Sequence, residues 1–358
     1  MPLRREPMTD ISFDPVTHPD ALATRWRRLE AAASGGFFRS WTYLGTLLPH
    51  FTAPYLLAVT RRGQDVALGL FNRIGSRLCL HETGLEPWDQ LHVEHNGLLL
   101  HPSAPDVLPA ALAVVASHGT VILSGIDDAH HAAAGAAGDA HLRKCHFAPA
   151  VAFTTLADPR QPYITNLSAN ARSQLRRAMR LFGDTLRLEP ATTLPQAEHY
   201  FDRLVQLHQT SWLARGQRGA FADEPIRSFH RSLIRAGFPS GEVRLLRVAT
   251  ASRELGYLYE FRHSRRALSY QTGLASEPDP RLKPGLVCHV LAIEQARADG
   301  EEVYDFLAGA QRYKLTLAPH GGETMHWVTL YRRASLAAYT ARLRRLVTRA
   351  AAVEPDSE

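Results

Sequence analysis

Between residues 281 and 314 the chain places Arg281, Lys283, Gly285 and Leu286 at the mouth of an apolar run, then Asp305, then Tyr313 beside Lys314. A Pro-Gly turn that opens a helix after a strand offers unpaired backbone N–H groups and a positive helix end, a combination that holds phosphate. The chemistry this suggests is group transfer from a phosphate-bearing donor. Two carboxylates fall near the middle of the predicted sheet, Glu260 on the strand Leu255–Arg262 and Asp305 on the strand Val303–Leu307. Either could take a proton from a nucleophile, and the phenols of Tyr270 and Tyr313 could return one to a leaving group. Each has a plainer reading. Asp305 can brace a loop through backbone hydrogen bonds, Glu260 can lie on the polar face of its strand, Tyr270 can pack along a cleft wall, and Lys314 can pair with Asp305 or hold a donor phosphate.

Other groupings are weaker. His208 shares a helical face with Phe201, Leu204, Val205 and Trp212, which is the setting of a core histidine. Cys288 and His289 are neighbours on a helix and point about 100° apart, so they do not form a nucleophile and base. His130, His131, His141, Cys145 and His146 lie in an Ala/Gly-rich stretch, read as a loop, without a recognised metal-ligand spacing, and no metal is expected. No Gly-x-Ser-x-Gly, phosphate-binding Walker loop or zinc-finger pattern occurs.

The elements needed to position these residues form a mixed α/β order that occurs twice. In the first half, helical patterns at 20–33 and 40–50 precede strands at 55–60, 66–74 and 77–81, a helix at 106–117, and strands at 120–124 and 145–155. In the second, a strand at 184–189 precedes helices at 195–214 and 223–237, strands at 243–249, 255–262 and 267–272, a helix at 285–299, and strands at 303–307 and 324–331. Thr83-Gly84-Leu85 and Thr272-Gly273-Leu274 close the third strand of each set. The expected division is 1–160, 161–350 and a disordered tail at 351–358, with the break near Pro159–Ile164, where prolines interrupt regular structure. A helix follows, capped at Ser168 or Asn170, with Arg172, Arg176 and Arg180 on one face and Arg177 beside it. That face is either solvated or a clamp for a phosphorylated ligand.

At 358 residues, 45% hydrophobic and 21% charged, the chain has the composition of a soluble protein of two ordinary domains. Its formal charge of +6 is carried almost wholly by arginine, since Lys144, Lys283 and Lys314 are the lysines, and this favours acidic ligands. Cys79, Cys145 and Cys288 are far apart and odd in number, which fits a reducing cytoplasm better than a disulfide framework. The first residues lack the apolar core of a signal peptide, and the longest apolar run, near 108–116, is too short to span a bilayer.

Taken together, the Arg-rich helix, Trp212 with Gly219-Ala220-Phe221, Tyr270-Gln271-Thr272-Gly273, Lys283-Pro284-Gly285, Asp305-Phe306-Leu307-Ala308-Gly309 and Tyr313-Lys314 resemble the BioF2-like, CelD-like branch of the GNAT acyltransferases. That branch is similar in plan to the FemABX aminoacyltransferases, which carry two GNAT-like domains. The resemblance implies tandem GNAT-like domains of mixed α/β class about a central cleft, and direct transfer of an acyl group from acetyl-CoA or another acyl-CoA to an amine. It implies an oxyanion donor on the splayed strand around Tyr270–Gly273, with Gln271, Thr272, Gly273 and Lys314 joining Arg281, Lys283, Gly285 and Leu286 in donor binding. Arg172, Arg176 and Trp212 would meet the acceptor, a small molecule or a saccharide or peptide precursor of envelope or exopolysaccharide synthesis. The chain departs from the broad GNAT pattern at Pro284, and the first half has Gly97-Leu98-Leu99-Leu100-His101-Pro102 where the phosphate turn would stand, so activity is expected in the second half. Two rivals follow from the same plan: transfer from aminoacyl-tRNA, with the Arg-rich helix on the RNA backbone, and a non-catalytic binding module. DNA is not an expected partner.

Overall fold

The computed structural model describes residues 9–333 except 34, 157 and 159, so Pro159 and the segments beyond 333, including 351–358, lie outside the described residues. The first half runs β1 (Thr9–Pro15), α1 (Pro19–Glu30), α2 (Trp41–Leu47), β2 (Pro54–Arg61), β3 (Gln64–Ile74), β4 (Arg77–Leu80), the short β5 (Leu99–Leu100), α3 (Leu108–His118), β6 (Thr120–Ile126), α4 (Asp128–Ala137) and β7 (Asp139–Ala152). The linking helix α5 (Ala169–Phe182) leads to β8 (Arg187–Pro190), α6 (Leu194–Leu213), α7 (Glu224–Gly237), β9 (Val243–Ala249), β10 (Glu254–His263), β11 (Arg266–Leu274), α8 (Pro284–Ala298), β12 (Val303–Asp305), α9 (Arg312–Leu317) and β13 (Gly322–Tyr331).

Apart from β5 and α5, the two halves repeat one order, βααβββαβαβ, a repeat the periodicity predicts in outline. The structure adds β1 and α9, which the sequence reading did not contain. It also corrects the expected loop at 130–146: Asp127 accepts the backbone N–H of His130 and caps α4, and β7 starts at Asp139.

The strands form one sheet ordered β1-β2-β3-β4-β6-β13-β7-β12-β11-β10-β9-β8. The last strand therefore lies inside the first half's part of the sheet, antiparallel to both β6 and β7. At its far end β7 crosses to the second half, where Ala150–Ala152 pair with Val303–Asp305. In each half a parallel contact marks the centre: β4 with β6 over Arg77–Cys79, and β11 with β12 over Arg266–Leu268.

One face of the sheet carries α1, α2, α6 and α7, whose apolar stripes merge into a core common to both halves. There Phe37 stacks on Phe261 with ring centroids 4.1 Å apart, and Trp26, Phe201 and Phe221 are fully buried. Stacked aromatic pairs of this kind add about 1 kcal/mol beyond the area they bury. The other face is covered by α3 and α4 over the first half and by α5 and α8 over the second. Helix α5 buries Ala171, Leu175, Ala178 and Phe182, which recur at helical spacing, and so leaves Arg176, Arg177 and Arg180 exposed.

Candidate active site

Strands β11 and β12 stay paired only as far as Leu268 and Asp305. Beyond that point they splay, and β11 bulges: Tyr259 opposes Gln271 and Glu260 opposes Ser269, leaving Tyr270 as the extra residue. A bulge bends its strand and re-aims the side chain it carries. The opening is a cleft of about 640 Å³ with Ser269, Tyr270, Gln271, Thr272 and Leu274 along one wall and Trp212 of α6 above them. The facing wall comes from the first half's sheet, through Lys144 and His146 of β7 and Trp327 of β13, and from the loop after Leu91, through His92 and Glu94.

The floor is the turn Asp305–Gly309. Leu307 adopts φ 60°, a left-handed conformation that costs a non-glycine residue about 1–2 kcal/mol. Three buried side chains hold it there. The Asp305 carboxylate accepts the Leu307 N–H at 2.7 Å, the Lys314 ammonium donates to the carbonyls of Leu307 (3.1 Å) and Ala308 (2.8 Å), and Glu94 accepts the Ala308 N–H at 2.5 Å. Asp305 also receives hydrogen bonds from Arg266 at 2.7 Å and from His95 at 2.8 Å. Burial alone would raise its pKa, but the two cationic partners hold the carboxyl below the ordinary carboxylate range. With its lone pairs so occupied, Asp305 sits beneath the cleft as a brace and does not line it.

Glu94 is different. It is 8% exposed, lines the cleft and has one oxygen on Ala308, and burial pushes its carboxyl up to about 7 despite that bond and the nearby Lys314. A carboxylate poised near neutrality can take a proton at physiological pH. Glu260 is likewise raised to about 7 by burial, but it is enclosed by the sheet, accepts the Tyr304 hydroxyl at 2.9 Å and does not line the cleft.

The phenols also separate. Tyr270 donates its hydroxyl to the carbonyl of Leu91 at 2.8 Å, tying the two halves together, and burial raises its pKa. Tyr313 stacks on His289 at 5.2 Å, makes no hydrogen bond through its hydroxyl among the described residues, and stands 38% exposed at the cleft edge with its pKa pushed up to about 12 by burial. It is the phenol free to donate. His208 donates from Nδ1 to the Thr272 carbonyl (3.0 Å) and accepts the Ala220 N–H at Nε2 (3.3 Å), which makes it the satisfied core histidine its helical face predicts.

Tyr313 also lines a second cavity, of about 430 Å³, where the N-terminal ends of α5 and α8 converge at Ser168, Asn170, Lys283 and Leu286, with Arg312 at the side. A third, of about 460 Å³, shares Asn170, Gln174 and Lys283 with it and ends at Arg177 and Arg281. Sharing Tyr313 and then Asn170, Gln174 and Lys283, the three cavities adjoin in a track that leads from the cleft to Arg177 and Arg281. At its bend Lys283 precedes α8 with φ 44° and makes no side-chain cap, Pro284 has no N–H, and the first intrahelical bond begins at Val287. The N–H groups of Gly285 and Leu286 thus have no partner among the described residues at the positive helix end.

Of the predicted donor residues, Arg281, Lys283 and Leu286 line this track, while Gln271, Thr272 and Lys314 line the cleft. Lys314 is held by loop carbonyls and not by Asp305. Gly273 serves packing: a Cβ there would fall 2.3 Å from the Leu204 carbonyl oxygen, so only glycine lets α6 approach β11. Of the predicted acceptor residues, Trp212 is in the cleft, whereas Arg172 donates to the Thr165 carbonyl and Arg176 is exposed on the far face of α5. Arg177, one position on, is the arginine that reaches the track.

The sequence reading assigned no site role to Glu94, His92, Lys144 or Trp327, and named His146 only in a group from which no metal was expected. The one local sign was a dense polar run, His92-Val93-Glu94-His95-Asn96, between buried Leu91 and Leu98. In the first half that run packs beside β4 and β6: Asn96 bridges to Ile126, donates to the Leu80 carbonyl and hydrogen-bonds to buried His81.

Residues 169–315 match the family model described as an acetyltransferase (GNAT) domain. No curated protein matches the chain. Among solved structures, FemX superimposes with a TM-score of 0.59 at 10% identity, covering 92% of this chain and 99% of FemX. The C-terminal domain (DUF2156) of a protein named for lysylphosphatidylglycerol synthetase from Agrobacterium fabrum gives 0.57 at 11%, covering 91% and 95%. L-PGS from Bacillus licheniformis gives 0.56 at 12%, covering 90% and 96%. At such identities the likeness speaks for the fold alone.

Proposed function

We propose that this chain, whose residues 169–315 match the acetyltransferase (GNAT) domain model and whose fold is shared with FemX, transfers an acyl group from acyl-CoA to an amine. The observation that carries this reading is the continuous track from the cleft past Tyr313 to the paired N-termini of α5 and α8. It has the polarity an acyl-CoA requires, phosphate seats outside and a polar, half-enclosed reaction chamber within. In the proposal Lys283 and the N–H groups of Gly285 and Leu286 hold the pyrophosphate, Arg177 and Arg281 meet the outer phosphate, and the unpaired edge of β11 beyond Leu268 polarises the thioester carbonyl. Residues 1–160 shape the acceptor side and 161–350 run the transfer.

The step itself balances without a covalent enzyme intermediate. The amine nitrogen attacks the thioester carbon and the N–C bond forms. Glu94 takes the proton the nitrogen loses, the C–S bond breaks, and the departing thiolate takes a proton from Tyr313. Acceptors of the amino-sugar, amino-acid or cell-envelope precursor class fit a cleft of this size, in a protein acting in the cytoplasm. Among the described residues no helix is long and apolar enough to cross a membrane.

Calorimetric titration with acetyl-CoA and longer acyl-CoAs, followed by thiol release in the presence of amines, tests the reading. Failure of all acyl-CoAs to bind removes it. Transfer from aminoacyl-tRNA is the second reading, favoured by the exposed arginines Arg176, Arg177 and Arg180 of α5, of which Arg177 reaches the track. Its mark is binding of tRNA that falls steeply with salt.

A further inference from the structure

Two tryptophans face into the cleft from opposite walls, and each carries a cation on its ring. On the second-half wall the Arg215 guanidinium lies 4.5 Å from the Trp212 ring centre, and on the first-half wall the Lys144 ammonium lies 4.7 Å from that of Trp327. Neither cation forms a salt bridge among the described residues; the Arg215 side chain donates to the carbonyl and hydroxyl of Ser211, and Lys144 is exposed. Glu94 is the one carboxylate lining the cleft, it lies at the floor, and the third cation, Lys314, is already held by carbonyls. The walls above the floor therefore carry positive charge that no salt bridge neutralises among the described residues.

The donor does not require this charge. Its phosphates belong, on the functional reading above, at the far side of Tyr313, and the arm that would thread the chamber is uncharged. Each cation lies over one face of its tryptophan, which leaves the other face and the rim to a ring of the acceptor and sets the cation within reach of an anionic substituent on that ring. We infer that the acceptor is an anionic amine, a ring-bearing molecule whose carboxylate or phosphate is held by Lys144 and Arg215 while its amino group points down to Glu94. The inference rests on the acyltransfer reading for the position of the amine. Recognition of the anion is measurable without a donor.

The experiment compares matched pairs on the full chain: glucosamine with glucosamine 6-phosphate, and tyramine with tyrosine. Calorimetric affinity and, with acetyl-CoA present, kcat/KM are measured for each. The expected result is that one anionic member binds about tenfold or more tightly than its neutral partner, the gain of about one charge-assisted hydrogen bond. Lys144→Gln and Arg215→Gln should each remove most of that preference through KM, leaving acetyl-CoA affinity unchanged. The phosphate and carboxylate arms identify which anion is read. Equal affinity for both members of both pairs overturns the inference, as does a loss in either variant that falls equally on neutral and anionic amines. Weakened acetyl-CoA binding in these variants also overturns it, since the cations would then serve the donor. Absence of acetyl-CoA binding in the unaltered protein, with the anionic preference intact, would instead refute the donor assignment.

Discussion

Replacing Glu94 with glutamine separates its two duties, because the amide oxygen can still accept the Ala308 N–H while the side chain can no longer take a proton. The loop and the cleft should keep their shape. A positioned general base contributes about 10²- to 10⁴-fold, and with donor binding and orientation intact we expect kcat to fall about 100- to 1000-fold at unchanged acyl-CoA affinity. The pH profile gives a sharper signature. Since burial raises this carboxyl from 4.5 to about 7, the unaltered enzyme should lose activity about tenfold per pH unit below 7, and E94Q should show no such limb. Stability must move the other way. The folded state holds the proton more tightly than the unfolded chain, so its advantage is full below about 4.5 and is lost as pH rises through 7. The interval corresponds to about 3 kcal/mol. Between pH 4.5 and 8 the unaltered protein should therefore lose about that much stability relative to E94Q, read from urea midpoints at each pH. An E94Q enzyme with unchanged kcat and an unchanged acid limb would show that Glu94 is structural and that the proton leaves by another route.

Asp305→Asn removes the charge that His95 and Arg266 converge on and should destabilise the fold by about 3–5 kcal/mol, the usual result of orphaning a buried ionic partner; thermal melts by circular dichroism check this. Because His95 and Arg266 depress the Asp305 pKa, that contribution is present above the ordinary carboxylate range and lost as pH falls through the folded value. Lys283→Ala combined with Arg281→Ala should weaken acetyl-CoA binding at least tenfold and flatten its salt dependence, measured by calorimetry at two ionic strengths, with little change in melting temperature. Gly273→Ala drives a methyl group onto the Leu204 backbone and should cost about 2–3 kcal/mol in urea unfolding, a loss that no flexible side chain can relieve.

The sequence was most legible where local rules and global packing agree. Helix α8 announces itself through Pro284-Gly285 and an unbroken apolar run, and its observed bounds, Pro284–Ala298, differ from the expectation by one residue at each end. Strand β9 coincides with the expected Val243–Ala249. Helix α4 was misread because alanine, glycine and histidine carry little amphipathic signal; what makes it a helix is the Asp127 cap and burial of Ala133 and Ala134 against the first-half core. The signature Asp305–Gly309 was visible, and of its two readings for Asp305 the loop brace is the one the structure shows. Lys314, expected to pair with Asp305 or hold a phosphate, instead supports a left-handed leucine through loop carbonyls. Glu94 was out of reach for the opposite reason: its position is set by a contact with Ala308, 214 residues away, and no periodicity encodes that distance.

The placement of β13 between β6 and β7 bears on how the molecule is made. A nascent first half leaves the ribosome with β6 and the exposed length of β7 lacking the strand that joins them, and the gap closes only when residues 322–331 arrive. Until then two apolar-flanked strand edges stand open, the state in which chains pair with the wrong partner. The shared aromatic core likewise waits for α6 and α7. Closure of the sheet thus waits for residues 322–331, and a chain cut short before them lacks the strand that joins β6 to β7.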